Sequence, residues 1–458
     1  MSLRFGTDGV RGLANAALTP ELALALGRAA ARVLGAGAPF VVARDTRRSG
    51  PMLEAAVAAG LASEGADVEL AGVLPTPGAA HASHVRGCPA AVISASHNPF
   101  PDNGIKFFAA GGRKLGDAAE AGIEAELEGL LAEPAGAGPP GGRSRPEGGA
   151  VGVVRPAPAA RDAYVEHLAG VLGDRRLDGL RIVVDCGHGA ASPVAGDVFA
   201  AVGAKAEIRN AEPDGTNINA GCGSTHPDRL RAEVVDRGAA AGLAFDGDAD
   251  RLVAVDERGG LVDGDHILAI AALDLQARGV LHHDTVVATV MANLAFHQAM
   301  AANGIRVEIT PVGDRSVLEA MEAGGFVLGG EQSGHIIFGD LATTGDGLLS
   351  GLVLLDVLAR SGRPLSELAS VVRKLPQVLR NVRVADRAGL PGAARFWAEV
   401  TAVEAELGAG GRVLVRPSGT EPLVRIMVEA PTEDAALAHA DRLATALLGA
   451  LGEGPGGA

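Results

Sequence analysis

The sequence predicts an α/β protein of several domains with largely parallel or mixed sheets, closed by a smaller α+β domain. Three observations carry that prediction. The chain has 458 residues, more than one hydrophobic core supports, and ordinary domain size points to three or four units. Short apolar runs alternate with helical stretches along most of its length, which is the pattern of successive strand–helix units. After Arg360 to Pro364 this alternation gives way to three closely spaced strand patterns and one long helix.

Thr19-Pro20-Glu21 supplies a cap residue, a proline at the first turn and an early acid, and so opens a helix that runs through Leu34. Phe40 to Ala43 then reads as a short buried strand. Further strands are expected at Val68 to Leu70, Ala91 to Ile93, Arg181 to Asp185, Gly242 to Phe245, Leu252 to Asp256, Thr285 to Met291 and Val307 to Thr310. In the last domain they are expected at Val378 to Val384, Arg412 to Arg416 and Val424 to Val428, before an Ala/Leu-rich helix from Thr432. Between Glu133 and Pro158, Gly, Pro, Ala and Arg displace periodic apolar residues, as in a flexible connection. The expected division is therefore 1–133, a linker at 134–158, then 159–250, 251–364 and 365–458.

Hydrophobic residues make up 47% of the chain but Phe, Trp and Tyr only 3%, so the cores are expected to be built from Ala, Val, Leu and Ile. A formal net charge of −15 opposes nonspecific attraction to nucleic acid or an anionic membrane, leaving small molecules as the expected partners. Cys88, Cys186 and Cys222 have no metal-ligand spacing and cannot all pair, which fits a reducing compartment and three buried thiols. Met1 to Phe5 runs into the polar Gly6-Thr7-Asp8-Gly9 without an apolar signal core, and no apolar run reaches membrane-spanning length. A soluble cytoplasmic protein is the expectation.

Four loops carry chemistry. Ser94-Ala95-Ser96-His97-Asn98-Pro99 follows an apolar strand and leads to Asp102-Asn103-Gly104-Ile105-Lys106, where turn residues expose Ser96 at a strand end. No Gly-x-Ser-x-Gly elbow surrounds this serine, which disfavours an esterase; a self-capping Ser/Asn turn is the plain alternative. Asp246-Gly247-Asp248-Ala249-Asp250-Arg251 lies between two apolar runs, and its three carboxylates can converge on one hard cation such as magnesium. A calcium EF-hand would need glycine at the sixth position, occupied here by Arg251, and flanking helices. Gly330-Glu331-Gln332-Ser333-Gly334-His335 offers an acid, an amide and a hydroxyl to a polyol or amino sugar, and would otherwise be an ordinary hydrophilic turn. Arg416-Pro417-Ser418-Gly419-Thr420-Glu421-Pro422, with Arg425 nearby, supplies the charge and donors of a phosphate clamp, against the alternative of a hairpin with solvated arginines. Together the four loops supply every part of a phosphoryl-transfer site.

Phe5-Gly6-Thr7-Asp8-Gly9-Val10-Arg11-Gly12, Cys222 to Pro227, Val312 to Arg315, Gly330 to His335 and Thr344-Gly345-Asp346-Gly347 are motifs through which the chain resembles the α-D-phosphohexomutase superfamily over essentially its whole length. The resemblance implies three related α/β domains and a smaller C-terminal domain, heart-shaped around a central cleft. It implies a magnesium-dependent mutase acting on a small phosphosugar, with glucosamine 6-phosphate and glucosamine 1-phosphate as the substrate pair and a hexosamine 1,6-bisphosphate intermediate. A homodimer is the implied assembly. Carried over, Ser96 would hold the phosphoryl group, and Asp246, Asp248 and Asp250 would bind magnesium together with a phosphate oxygen on Ser96. Lys106 would help proton transfer, His97 would stabilise charge beside the phosphoserine, and Arg11 and Arg251 would balance the anions. Glu331 and Ser333 would contact sugar hydroxyls, while Arg416, Ser418, Gly419, Thr420 and Arg425 would grip the phosphate not being transferred. Gln332 is the residue weighed for amino-sugar preference. Phosphomannomutase/phosphoglucomutase activity and a noncatalytic phosphosugar-binding role stay open as alternatives.

Overall fold

The computed structural model describes residues 9–132, 145–418 and 423–454. The first part of the chain forms β1 (Val10–Leu13), α1 (Pro20–Leu34), β2 (Phe40–Arg44), α2 (Gly50–Ser63), β3 (Val68–Val73), α3 (Thr76–Arg86), β4 (Ala90–Ile93), β5 (Asp102–Ala109), β6 (Arg113–Lys114), α4 (Asp117–Ala132) and β7 (Val154–Pro156). Their sheet runs β1-β5-β4-β2-β3-β7, with β6 on β5; β4, β2, β3 and β7 are parallel while β1 and β5 are antiparallel to their neighbours. α1 begins where its caps predict, with Thr19 Oγ1 accepting from Leu22 N at 3.3 Å. It packs on α2 through Gly27 and Gly60, where a Cβ on either would meet the other helix's backbone. Val42, Phe40, Leu26, Leu53 and Leu61 meet in the core beneath, and β2 shows no polar alternation because both its faces are covered.

The stretch expected as a linker behaves differently in its described part. Residues 148–150 form a 3-10 turn, and β7 adds to the edge of the first sheet by pairing with β3. Backbone donors and acceptors along an open strand edge take up an added segment whatever its side chains, which is why composition hid this strand. Residues 134–144 of that expected linker lie outside the described residues.

The second sheet is built from α5 (Ala159–Gly170), β8 (Arg181–Asp185), α6 (Ala195–Ala201), β9 (Lys205–Arg209), α7 (Asp228–Arg237), β10 (Ala241–Phe245), β11 (Leu252–Asp256) and β12 (Leu261–Val262). Its order is β12-β11-β10-β8-β9, and β10 and β11 form an antiparallel hairpin with Phe245 opposite Leu252. The break expected between Asp250 and Arg251 therefore falls inside a hairpin, since β11 and β12 remain bonded to the second sheet.

Next come α8 (Gly264–Ala277), β13 (Thr285–Thr289), α9 (Leu294–Ala302), β14 (Arg306–Thr310), α10 (Asp314–Gly324), β15 (Leu328–Gly330), β16 (Ile336–Phe338), α11 (Gly347–Ser361) and α12 (Leu365–Ala369), with a sheet of order β14-β13-β15-β16. β15 and β16 are again an antiparallel hairpin. Asp346 caps α11 by accepting from Leu349 N at 2.9 Å, and Tyr164 Oη donates to its Oδ2 at 2.9 Å. Burial pushes this carboxyl up to about 7 against those hydrogen bonds. A native carboxyl raised above its ordinary value of 3.8 binds its proton more tightly than the unfolded chain does. The stability it contributes is therefore present at low pH and is lost as pH rises toward 7. Asp346→Asn, which keeps the cap acceptor, should melt near wild type at pH 5 and gain on wild type by pH 8. A melting difference unchanged between those pH values would contradict the raised carboxyl.

The last elements are β17 (Gln377–Arg383), α13 (Ala394–Leu407), β18 (Arg412–Pro417), β19 (Leu423–Glu429) and α14 (Glu433–Leu451), capped by Thr432. The three strands are antiparallel in the order β17-β19-β18, over a core containing Phe396, Val400, Ile426 and Leu443. The chain separates into two compact units, one comprising the residues up to Met291 with Ile305–Val371, the other Ala292–Gly304 with Val372–Ala458. α9 thus belongs to the second unit, where fully buried Glu429 accepts from Leu294 N at 2.8 Å and pairs with Arg412 at 2.8 Å. The last break lies beyond α12 instead of at 364/365. Cys88, Cys186 and Cys222 are buried and form no disulfide. Among the described residues no helix is long and apolar enough to cross a membrane.

Candidate active site

Ser96 sits in the loop between β4 and β5, with its backbone in the left-handed region at φ 50° and only 1% of its surface exposed. That conformation is unfavourable for a residue with a Cβ, by about 1–2 kcal/mol, so neighbouring groups must hold it. Ser96 N donates to Ser94 Oγ at 2.9 Å, and Ser94 Oγ donates in turn to Asp45 Oδ2 at 2.6 Å. The Ser96 carbonyl accepts from Arg47 and from Asn219. Held this way, the hydroxyl donates to Asp246 Oδ2 at 2.6 Å. The nucleophile candidate and the metal-loop candidate, 150 residues apart in sequence, are hydrogen-bonded to each other.

The metal-loop candidate is the turn of the β10–β11 hairpin. Strands on both sides exclude the helix–loop–helix of an EF-hand. Ala249 takes φ 58°, and Gly247 lies so close to the Ser96 carbonyl that a Cβ there would stand 2.5 Å from the oxygen. One carboxylate oxygen from each of Asp246, Asp248 and Asp250 falls within 4.8 Å of the others, and the three residues are 0%, 1% and 7% exposed. At such separations each pair of charges repels by about 3 kcal/mol at an effective dielectric near 20. Two shifts follow. Burial, with the charges of Asp250 and Asp248, drives Asp246 well above the ordinary carboxylate range. Asp248 is also buried, but the Lys106 ammonium at 2.7 Å and Thr76 Oγ1 at 2.6 Å overcome that and hold it below the range. Asp248 Oδ1 remains buried with no hydrogen-bond partner. A buried cluster of three carboxylates with an unsatisfied oxygen fits a hard divalent cation.

Lys106, on β5, stands 3.8 Å from Asp250 as well, so one ammonium serves two of the carboxylates. Arg11 lies on β1 opposite Gly104, and its charge acts on both Asp248 and His97. His97 Nδ1 is 3.3 Å from Ser96 Oγ and 3.0 Å from Arg251 Nη1. A guanidinium can only donate, so Nδ1 accepts from Arg251 and the ring proton sits on Nε2. Burial, then the charges of Arg251 and Arg11, lower the His97 pKa, which keeps the imidazole neutral.

Arg251 also lines an open cavity of about 510 Å³ together with Asp263, Thr289, Glu331, Gln332 and Ser333. The last three belong to the turn of the β15–β16 hairpin. Glu331 Oε1 accepts from Gly313 N at 3.1 Å, and Ser333 Oγ lies 3.5 Å from Glu331 Oε2. Arg251, which ends the acidic loop and is bonded to His97 of the serine loop, thus borders the same space as the polyol loop.

Arg416 and Arg425 belong to the second compact unit. They are direct partners across the β18–β19 ladder, and burial followed by the charge of Arg425 lowers the Arg416 pKa. Two like charges at facing positions of an antiparallel pair repel each other. Ser418 is 6% exposed and its N donates to Leu423 O at 2.9 Å. Gly419 and Thr420 lie outside the described residues.

Sequence reasoning missed Asp45, Arg47, Thr76 and Asn219. Arg47 is fully buried, paired with Asp45 at 2.8 Å, and donates to four carbonyls of the serine loop and its exit. The signal available was Asp45-Thr46-Arg47, a polar run directly after the buried strand Phe40–Arg44, where an ion pair has to be either solvated or structural.

Comparison with known proteins finds relatives along nearly the whole chain. Residues 2–132, 162–260 and 263–375 match the alpha/beta/alpha domains I, II and III of phosphoglucomutase/phosphomannomutase, and residues 379–446 match its C-terminal domain. A protein of Frankia alni named phosphoglucosamine mutase is 55% identical over 463 residues, covering 98% of this chain and 99% of that protein. The crystal structure of a phosphoglucomutase/phosphomannomutase family protein from Burkholderia thailandensis superimposes with a TM-score of 0.80 at 27% identity, covering 97% of each chain. The Aspergillus fumigatus N-acetylphosphoglucosamine mutase, solved with GlcNAc-6P and magnesium, shares the fold with a TM-score of 0.64 at 19% identity, over 98% of this chain and 96% of that one.

Proposed function

The chain belongs to the phosphoglucomutase/phosphomannomutase family, and from that premise we propose that it interconverts glucosamine 6-phosphate and glucosamine 1-phosphate through phosphorylated Ser96. It would act as an isomerase by intramolecular phosphotransfer. The observation that carries this reading is the 2.6 Å hydrogen bond from Ser96 Oγ into a buried cluster of three carboxylates. The amino sugar is supported by the name of the Frankia alni relative.

In the proposed cycle, the bond from phosphorus to Ser96 Oγ breaks as one forms to the free sugar hydroxyl, whose proton ends on the departing Ser96 Oγ with the Lys106 ammonium assisting that transfer. The resulting glucosamine 1,6-bisphosphate turns over, and its other phosphate returns to Ser96. Magnesium, held by Asp246, Asp248, Asp250 and a phosphate oxygen on Ser96, would neutralise charge on the transferred group. Arg251 and Arg11 offset the remaining anionic charge, and Arg251 fixes the His97 tautomer beside the serine. Glu331 and Ser333 accept and donate to sugar hydroxyls. Arg416, Ser418, Gly419, Thr420 and Arg425 take the stationary phosphate, a role supported by the two arginines facing each other across the β18–β19 ladder. We assign one loop to each of the four family segments, and place the reaction in the cytoplasm, which the three buried, unbridged thiols support.

The test is kcat/KM of the phosphorylated protein with magnesium on glucosamine 6-phosphate, glucose 6-phosphate and mannose 6-phosphate. The amino sugar should be preferred by at least about tenfold, the scale of one net hydrogen bond to a charged group. Preference for glucose or mannose phosphate would move the chain to phosphomannomutase/phosphoglucomutase activity with the same mechanism. No turnover on any of the three would leave a phosphosugar-binding protein.

A further inference from the structure

We infer that Asn219 and Arg47 form a two-sided clamp on the main chain of the serine loop and act as positioning residues for phosphoryl transfer at Ser96. The inference rests on the mutase reading above. Both side chains donate to the same two carbonyls. Arg47 Nη2 reaches Ser96 O and Asn98 O at 2.8 Å each, and Asn219 Nδ2 reaches the same oxygens at 2.9 and 3.1 Å. The donors come from different parts of the sequence and of the fold. Arg47 leaves the end of β2 in the first sheet's layer, whereas Asn219 belongs to the loop between β9 and α7 of the second.

Each donor is itself fixed. Arg47 is fully buried against Asp45, and Asn219 is 7% exposed, with φ 58° and its N donating to Gly187 O at 2.9 Å. The two supporting loops are also joined to each other, by Arg48 N to Gly215 O at 2.8 Å, and Thr46 Oγ1 donates at 2.6 Å to His188 O in the loop after β8. Four donor contacts thus converge on the carbonyls of the two residues flanking His97. Neither side chain touches the Ser96 hydroxyl in the hydrogen bonds described; both act through the backbone.

The physical consequence is orientation. Ser96 adopts φ 50°, and a serine released from that conformation swings Oγ away from Asp246. Saturating the Ser96 carbonyl from both sides fixes its peptide plane and therefore the direction of Cα–Cβ. Gly247 leaves room for this arrangement, because a Cβ there would meet both Ser96 O and the Asn219 amide nitrogen. The clamp thus sets the distance between the serine and the acidic loop without contributing a ligand to either.

Asn219→Asp is the discriminating variant, since it keeps the shape and turns a donor toward two carbonyl oxygens into an acceptor. Misplacing a reacting group by a fraction of an ångström slows reaction without weakening binding, so kcat should fall about 10- to 100-fold with KM changed less than about twofold. The rate at which glucosamine 1,6-bisphosphate phosphorylates Ser96, followed by intact mass, should fall in parallel. Asn219→Ala, which lets water replace the amide, should lose less than N219D. Arg47→Lys, which keeps the charge beside Asp45 but not the fork, should show the same kcat-only loss should N219D fail to fold. Backbone amide exchange over residues 94–103 should quicken by about tenfold in each folded variant. Wild-type kcat in folded N219D and R47K, or a defect confined to KM, would overturn the clamp and leave the mutase reading standing. Wild-type protein that takes no phosphate on Ser96 would overturn the mutase reading and the positioning role with it.

Discussion

Ser96→Ala should reduce mutase turnover by at least about four orders of magnitude, since the covalent step has no other route once its nucleophile is gone. The fold should survive. Alanine is no worse than serine at φ 50°, and the substitution removes one hydroxyl at a site already held by Arg47, Asn219 and Ser94. The lost hydrogen bond to Asp246 should reduce stability by about 1 kcal/mol, the usual net value of such a bond. Binding is expected to separate from chemistry. Glucosamine 1,6-bisphosphate should still bind the variant by calorimetry, because the residues proposed above to hold it are untouched, but intact mass should show no transferred phosphate. Near-normal turnover, or phosphate on a different residue of the variant, would remove Ser96 from the mechanism. Loss of bisphosphate binding would mean instead that the serine loop builds part of the binding surface.

The elements that were legible in the sequence are those whose local chemistry decides their conformation. Thr19-Pro20-Glu21 starts a helix at Pro20 because cap, fixed φ and acidic first turn agree. The runs Arg181 to Asp185 and Leu252 to Asp256 became β8 and β11 with those bounds, since interior strands of this chain are continuously apolar. What escaped was decided by distant partners. β7 exists because β3 offers a free edge, and β9, Lys205 to Arg209, has no apolar run to announce it. The domain break at Arg251 failed for a related reason. Two apolar runs about a polar loop look the same whether the loop ends a domain or turns a hairpin, and only the pairing of Phe245 with Leu252 decides. In the site, the groups that hold a reactive atom directly had recognisable side chains in recognisable turns. Asp45, Arg47 and Asn219 act on backbone carbonyls, and a backbone acceptor leaves no mark on the sequence of the loop that offers it.

Asp246→Asn should produce two effects of opposite sign that no purely structural role for this carboxylate would give together. Activity should fall by about three orders of magnitude, because a metal that stabilises the transferred group is worth several kcal/mol and each 1.4 kcal/mol is a factor of ten. Stability in chelator should stay level or rise. In the metal-free wild type, Asp246 is buried within 4.8 Å of two other carboxylates, and burial followed by those two charges acts against its ionised form. The asparagine amide fits the same partners. It can present its oxygen to Arg251 N, which donates to Asp246 Oδ1 at 3.2 Å, and its NH₂ to the Ser96 hydroxyl. Removing one charge therefore relieves repulsion without leaving a buried group unpaired. With magnesium the order should reverse. At a metal concentration of about 100 times Kd, binding to the native state alone adds about 2.7 kcal/mol to the wild type and little to the variant. Thermal unfolding of both proteins, each in chelator and in excess magnesium, tests this directly. A variant that melts well below wild type in chelator would assign Asp246 a structural role. A variant that keeps the full magnesium-dependent rise would place the cation elsewhere, since a cluster reduced to Asp248 and Asp250, with Lys106 neutralising one of them, retains too little charge to hold it as tightly.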